Sequence, residues 1–352
     1  MGMSWARAFA ASGPPPVFAA IGAGGLQRAE ELHGTLRLQR SPRQAAILLV
    51  LGEIAPDLLP FLQRLHDHLP HPRATIWHRA TPPGDWTDPV QAKADGLERT
   101  LTDLWRSILS GDRASEPDFL PDKPPNEWRG VGPHGQGGKG MMGGTPYGRP
   151  MAMTDDDLRD GLSLDAYSAP FGPFLPMLPP GLILDLTLQG DVIQSATATR
   201  PPCPQPGSDD RPGDAIARLM RVMDMPALAL RRTRDGLPPA MGIAMLRRAI
   251  PDGLGRARDG TDVRDRLDRW RDKDAPQADD GTRLSDLLPG LEWHEAMIVL
   301  NSFQPDRIRA ICARSGPEGG DEDDKDGNRD APAHAPPDHG GHQHHDMTGP
   351  AA

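Results

Sequence analysis

The sequence predicts an α/β chain in two parts: a small parallel α/β domain, then an α+β domain with an antiparallel hairpin, a sheet and helices. Three observations carry this. Ala45 to Leu51 is an unbroken apolar run between Pro42 and Gly52, as expected of a strand buried on both faces. Leu182, Leu184, Leu186 and Leu188 alternate with Ile183, Asp185 and Thr187, the period of a strand with one face inward. From Gly316 onward the chain is Gly, Pro, Asp and His with scarcely an apolar residue, a composition that cannot bury enough surface to order itself.

In chain order, residues 1–40 read as an N-terminal extension, 41–115 as the parallel domain and 116–129 as a linker. Residues 130–315 read as the α+β domain and 316–352 as a disordered acidic, His-rich tail. After the first strand, Pro56-Asp57 opens a helical pattern with Leu58, Leu59, Leu62 and Leu65 on one face. Ala74 to Trp77 is a short second strand, and Val90 to Leu109 reads as a longer helix carrying Leu97, Leu101, Leu104, Trp105 and Ile108. Strand and helix alternating at this spacing favour parallel strands. Pro117, Pro121, Pro124 and Pro125 mark the linker.

The second part opens on Gly130 to Pro150, with nine glycines between Gly130 and Gly148, which allow close backbone approach to a neighbour or ligand. It is not a phosphate loop: Lys139 is followed by Gly140, position 133 is Pro, and no buried strand leads in. Thr154-Asp-Asp-Asp157 before Leu158 has the pattern of a helix N-cap with acids in the first turn. Gln189-Gly190-Asp191 supplies a hairpin turn, and Val192, Ile193, Ala196 and Ala198 begin the return strand. Helices are expected over Asp214–Met225, Ala240–Ile250, Asp262–Arg271, Leu291–Phe303 and Asp306–Ala313. Glu292-Trp-His-Glu295 lacks the second His of a zinc-protease motif.

Composition narrows the function classes. The 352 residues are 37% hydrophobic, with 40 Pro and 39 Gly, so loops are extensive. No apolar run approaches the ~18 residues of a membrane span, and the first residues lack a signal-peptide core. Two cysteines, Cys203 and Cys312, give no disulfide framework and suit a reducing cytosol. Of the net charge of −10, the tail from 316 supplies −7, with nine acids against Lys325 and Arg329. The body is close to neutral, and nothing in it suggests nucleic-acid binding.

Two stretches carry a family likeness. Ser41-Pro-Arg-Gln-Ala-Ala-Ile-Leu-Leu-Val-Leu-Gly52, with Leu62-Gln-Arg-Leu-His66 and Leu69-Pro-His-Pro-Arg-Ala-Thr-Ile-Trp77, resembles the cluster-bearing B subunit of NADH-quinone oxidoreductase (complex I) and its [NiFe]-hydrogenase relatives. In that family four cysteines hold a [4Fe-4S] cluster. The matching places here read Ala20-Ile-Gly-Ala-Gly-Gly-Leu26, Trp77-His-Arg-Ala80 and Thr81-Pro-Pro-Gly-Asp85, with no thiol among them, so no Fe–S cluster is expected. His33, His66, His68, His71 and His78 read as solvated or locally hydrogen-bonded residues rather than a replacement metal site, because no pair has i, i+4 spacing.

The second stretch, Gly132-Pro133-His134 followed by Leu178-Pro-Pro-Gly-Leu-Ile-Leu-Asp-Leu-Thr-Leu-Gln-Gly-Asp-Val-Ile-Gln194, resembles the N-terminal part of the quinone-site D subunit. There the loop His faces the quinone headgroup, so the resemblance makes Gly132, Pro133 and His134, with Tyr147 and Arg149, a candidate quinone or partner loop. About forty extra residues separate the loop from the hairpin, and this insert gathers Phe171, Phe174, Met177 and Leu178 as a candidate docking surface.

The order, B-like then D-like, resembles a fused complex I quinone module. It implies a cofactor-poor scaffold or adaptor in the cytoplasm, held peripherally on the inner face of the plasma membrane. Its partners would be membrane-embedded complex I-like or antiporter-like subunits of a proton- or cation-translocating complex, with other soluble subunits. A quinone-binding subunit of such a complex is the alternative. A third reading is a metal-handling accessory protein whose His339, His342, His344 and His345 hold a divalent ion weakly.

Overall fold

The computed structural model describes residues 12–120 and 153–316, apart from 37, 94, 157, 159–160, 208–211, 237 and 271–278. Candidate residues Gly132, Pro133, His134, Tyr147 and Arg149, and the tail histidines, lie outside them. Two four-stranded sheets organise the chain, one parallel and one antiparallel.

The parallel sheet runs β1 (Val17–Ile21), β2 (Ile47–Leu51), β3 (Ala74–His78) and β4 (Val90–Ala92) in that order. All ten residues of β2 and β3 are buried, because helices cover both faces. α1 (Leu26–Leu32) and α3 (Leu97–Ser110) pack on the face of Ile47, Leu49 and Ile76. α2 (Leu59–Asp67) packs on the face of Leu48, Val50 and Trp77.

Two expectations are corrected here. Residues 17–32, read as part of an extension, form the edge strand and first helix; five-residue β1 is too short, between Pro16 and Gly22, to stand out without its partner β2. The helix expected from Val90 starts only at Leu97. Val90–Ala92 instead pairs with Ile76–His78, and Gly96, at φ +142°, takes a backbone conformation no helix contains.

The antiparallel sheet runs β5 (Met153–Asp156), β6 (Ser163–Phe171), β7 (Ile183–Gln189) and β8 (Val192–Arg200). The helix expected to start at Thr154 is therefore a strand: its polar residues pair with Ser163–Ala166 of β6, and pairing overrides a local cap pattern. The hairpin at Gln189-Gly190-Asp191 forms as expected, with Gly190 at φ +60°.

One face of this sheet packs on α4 (Pro212–Val222), α6 (Pro239–Ala249), α7 (Val263–Arg269), α9 (Trp293–Asn301) and α10 (Pro305–Arg314). α5 (Pro226–Arg234) and the short α8 (Leu284–Leu287) were not legible as helices in the sequence. Glu292-Trp-His-Glu295 is a capping box, with Glu295 accepting from the Glu292 N–H at 3.0 Å. No helix among the described residues is long and apolar enough to cross a membrane.

The two sheets and their helices form one compact unit, joined by a polar seam. Glu30 on α1, only 3% exposed, receives Arg221 and, at 3.8 Å, Arg218 from α4. Asp57 accepts from Arg200 of β8 at 2.6 Å. His33, the C-cap of α1, lies within this seam. Burial, reinforced by the nearby Arg221 charge and opposed by Glu30, pulls its pKa from 6.5 to about 4.

The linkage follows directly. Unfolded, His33 takes its proton near pH 6.5, and folded only near 4. Between those values the unfolded chain binds the extra proton, so stability falls as pH falls through that window, by as much as about 3 kcal/mol. His33→Gln should flatten the urea midpoint between pH 6.5 and 4; a midpoint that still drops equally there would place the titration elsewhere.

Candidate functional site

Parallel α/β sheets bind ligands beyond the carboxyl ends of their strands, where the chain reverses its direction of travel across the sheet. Here that point is between β1 and β2. Leu38 makes a parallel bridge to Val17 on the outer side of β1, after which the chain crosses back to β2 and proceeds to β3 and β4. The crevice is therefore framed by Gly22–Gly25 after β1 and Gly52-Glu53 after β2.

The two loops interlock. Ala23 and Glu53 exchange backbone hydrogen bonds of 2.8 and 3.1 Å, and Gly22 donates to the Leu51 carbonyl at 2.8 Å. A Cβ at Gly22 would stand 2.3 Å from the Glu53 carbonyl oxygen, and one at Gly25 2.1 Å from that of Leu51. Those contacts explain Gly22 and Gly25 in Ile21-Gly-Ala-Gly-Gly-Leu26, which allow the loops to touch, while Gly24 takes a positive φ of +69°.

A third segment closes the crevice from the antiparallel half. The Gln205 side chain accepts from the Leu26 N–H at 3.0 Å and donates to the Gly22 carbonyl at 2.9 Å. Pro204 accepts from Gly24 N–H at 3.0 Å. Cys203 packs beside Leu58, Ile183, Ala23 and Phe174. The space left beside this plug is about 20 Å³, lined by Leu26, Cys203, Gln205, Arg218 and Asn301, room for about one water molecule. Sequence reasoning did not single out Gln205, because nothing local links it to a loop 180 residues away.

The donor set of this edge does not fit an Fe–S cluster. Ala20–Leu26, Trp77–Ala80 and Thr81–Asp85 offer no thiolate. The two cysteines are buried in separate clusters, Cys203 at the seam and Cys312 in the helical core, where burial pushes its pKa up to about 12. Among the described residues no three His, Cys, Asp or Glu side chains converge as a metal site. His78, at the end of β3, is 1% exposed, and its burial holds its pKa below the ordinary histidine range. It is a core residue and not a solvated one.

His66 is equally interior. Its ring nitrogens stand 2.9 Å from Asp67 Oδ1 and 3.1 Å from Glu116 Oε2, inside a box of Trp86 and Phe119. Glu116 also accepts from Thr75 N–H and Oγ1 at 2.8 and 2.7 Å. Arg73, 1% exposed, pairs with Asp67 and Asp118. This network straps residues 115–120 across α2 and β3, so the first residues of the expected linker are bound to the parallel half. His66, Arg73, Thr75 and Glu116 are buried and bonded to one another or to neighbouring chain, with Asp118 closing the set from the surface, and the network holds structure.

The candidate docking residues do not gather on a surface. Leu178 is 4% exposed in the antiparallel core. Phe171 packs against Trp293 with ring centroids 4.9 Å apart, Met177 lies against the same core, and Phe174 fills the seam. The insert that holds them is partly sheet, since β6 lies within it. Among the described residues, its exposed large apolar side chains are Leu158, Leu162, Leu164 and Leu175.

Gln205→Ala should destabilise the chain by about 1–3 kcal/mol, because both backbone groups that it satisfies are buried. Equilibrium urea unfolding checks this, and an unchanged midpoint would mean that water replaces the carboxamide.

Comparison of the chain with protein-family models, with curated proteins and with solved structures finds no match.

Proposed function

We propose that this chain is a complex I-like, cofactor-poor subunit that acts as a scaffold or adaptor on membrane-embedded subunits of a proton- or cation-translocating complex. The observation that carries the reading is the plug at the carboxyl edge of the parallel sheet. In a ligand-binding α/β protein that crevice presents open backbone donors. Here Gln205 and Pro204 bind the Gly22–Gly25 loop, and the glycines bring loop against loop. A subunit whose ligand edge is filled by its own chain is suited to holding partners rather than to chemistry. The Ser-Pro-Arg-Gln loop and the Leu-rich hairpin, in B-then-D order, supply the kind of complex.

Without a membrane-spanning helix among its described residues, an adaptor reaches the membrane through other chains. Detergent-solubilised membranes of the source organism, run on native gels, should carry this protein in a band with polytopic subunits. Finding it only as a free chain would sink the adaptor reading. Anaerobic reconstitution with iron and sulfide should leave the purified chain without the roughly four irons and broad visible absorption of a [4Fe-4S] protein; a stoichiometric cluster would restore a redox role.

A further inference from the structure

Two helices of the antiparallel half present a surface unlike the rest of the chain. α5 and α6 both lie on α4. Arg232 of α5 stands over Gly213 of α4, and Gly242 of α6 lets that helix approach Ile216 and Met220. Ala229 on α5, with Gly242, Ile243 and Leu246 on α6, is buried, which leaves each helix one outward face. Every exposed residue of the two helices is Ala, Pro, Leu, Met or Arg. Leu230 and Met241, 42% and 54% exposed, are the only large hydrophobics exposed on helices among the described residues. Arg234 lies one turn beyond Leu230, and Arg248 two turns beyond Met241, so apolar and basic side chains share each face.

The charge of these helices runs against that of the chain. From Pro226 to Ala249, Arg231, Arg232, Arg234, Arg247 and Arg248 stand against Asp235 alone, a net +4; with −10 in all, the remaining residues carry −14. Among the described residues, Arg231, Arg234 and Arg248 have no ion pair. Cations in a last turn suit the helix dipole, which explains their position but not the lack of any exposed acid, hydroxyl or carboxamide on the helices. A solvated face ordinarily mixes both signs of charge. Apolar side chains flanked by arginines alone suit an anionic lipid surface. Guanidinium groups donate to phosphates, their stems follow the apolar boundary, and Leu and Met enter it. The acids elsewhere do not cancel this attraction, since charges further than about 8 Å are screened at physiological ionic strength.

We propose that the outward faces of α5 and α6 lie on anionic phospholipid, with Arg231, Arg234 and Arg248 on its phosphates and Leu230 and Met241 in the apolar boundary beneath. This rests on the adaptor reading, in which other chains bring the protein to the membrane, and names the face that meets the lipid beside them.

The test uses the purified full-length protein. In dilute buffer it should cosediment with vesicles of equal phosphatidylglycerol and phosphatidylcholine, and leave them in about 0.5 M NaCl, which screens the contact. Vesicles of phosphatidylcholine alone should bind it at least about tenfold more weakly, since each Arg near an anionic leaflet contributes about fivefold. The triple variant Arg231→Gln, Arg234→Gln, Arg248→Gln should fall to that lower level, whereas Arg231→Lys, Arg234→Lys, Arg248→Lys should still bind, both with the wild-type urea midpoint. Cys203 and Cys312 are buried, so a bimane can be attached at Met241→Cys. Brominated lipid should quench it, and should not quench one at Arg99→Cys, exposed on α3. Equal binding to the two kinds of vesicle overturns the proposal, as does a Gln variant that binds like the wild type, or equal quenching at the two positions. If the Gln variant does not fold, the lipid and salt dependence of the wild-type chain and the bimane pair decide. No vesicle binding, with a photo-reactive side chain at Met241 crosslinking in the source organism to an acidic peptide of another chain, would make a protein the occupant and overturn the lipid face. A failure of this kind leaves the native-gel band, and with it the adaptor reading, in place. Vesicle binding by a chain that enters no such band removes the adaptor reading and keeps the lipid face.

Discussion

The contact on which the rest of this structure depends is the closure of two glycine loops by a single carboxamide. Gly22–Gly25 and Gly52-Glu53 touch through their backbones, and Gln205 donates to the Gly22 carbonyl and accepts from the Leu26 N–H. Gly22, Gly25, Leu26, Gly52 and Gln205 are buried, so their donors and acceptors need partners within the chain. The consequence is mechanical: the loop after β1 is bonded to the antiparallel half, and the two halves belong to one compact unit. The same closure occupies the place at which an α/β sheet ordinarily presents its ligand site.

Around this seam, buried polar groups hold a chain rich in proline and glycine. Arg266, 1% exposed, donates to Ser302 Oγ and to the carbonyls of Thr261 and Gly255, and it lies over the Phe303 ring at 4.1 Å. Its burial lowers its pKa to about 10, which leaves it charged at neutral pH. Glu116 and His66 do for the parallel half what Arg266 does for the helical one: each ties irregular chain to regular elements. Removing one partner of such a set costs more than the set itself contributes, because the survivor is left desolvated. Loops here are therefore fixed by specific polar contacts rather than by apolar area.

What could be read from the residues follows the periodicity. The apolar run of β2, the leucine alternation of β7 and the turn at Gly190 need no distant partner to be recognised, since each exceeds its neighbours in pattern length or turn chemistry. The strands β1, β4 and β5 are different. Val17–Ile21 and Val90–Ala92 are short, and Thr154-Asp-Asp-Asp157 has the local signature of a helix start. Each becomes a strand because an adjacent strand offers it hydrogen bonds, a cause that does not lie within the segment. The docking residues show the same division: Phe171, Phe174, Met177 and Leu178 are apolar in sequence, but only their neighbours Trp293, Ile54 and the helical core decide that they face inward.

The sequence by itself determined the α/β class, the order of a parallel and an antiparallel half, the two central strands and most of the helices, because these depend on residue type and short-range period. Only the tertiary structure decided that Gln205 seals the ligand edge, that His66 and His78 are interior, and that Phe171, Phe174, Met177 and Leu178 pack inward. Those outcomes depend on which surfaces meet, and contacts between residues as far apart as Gly22 and Gln205 are set by the packing of whole layers, which no local pattern encodes.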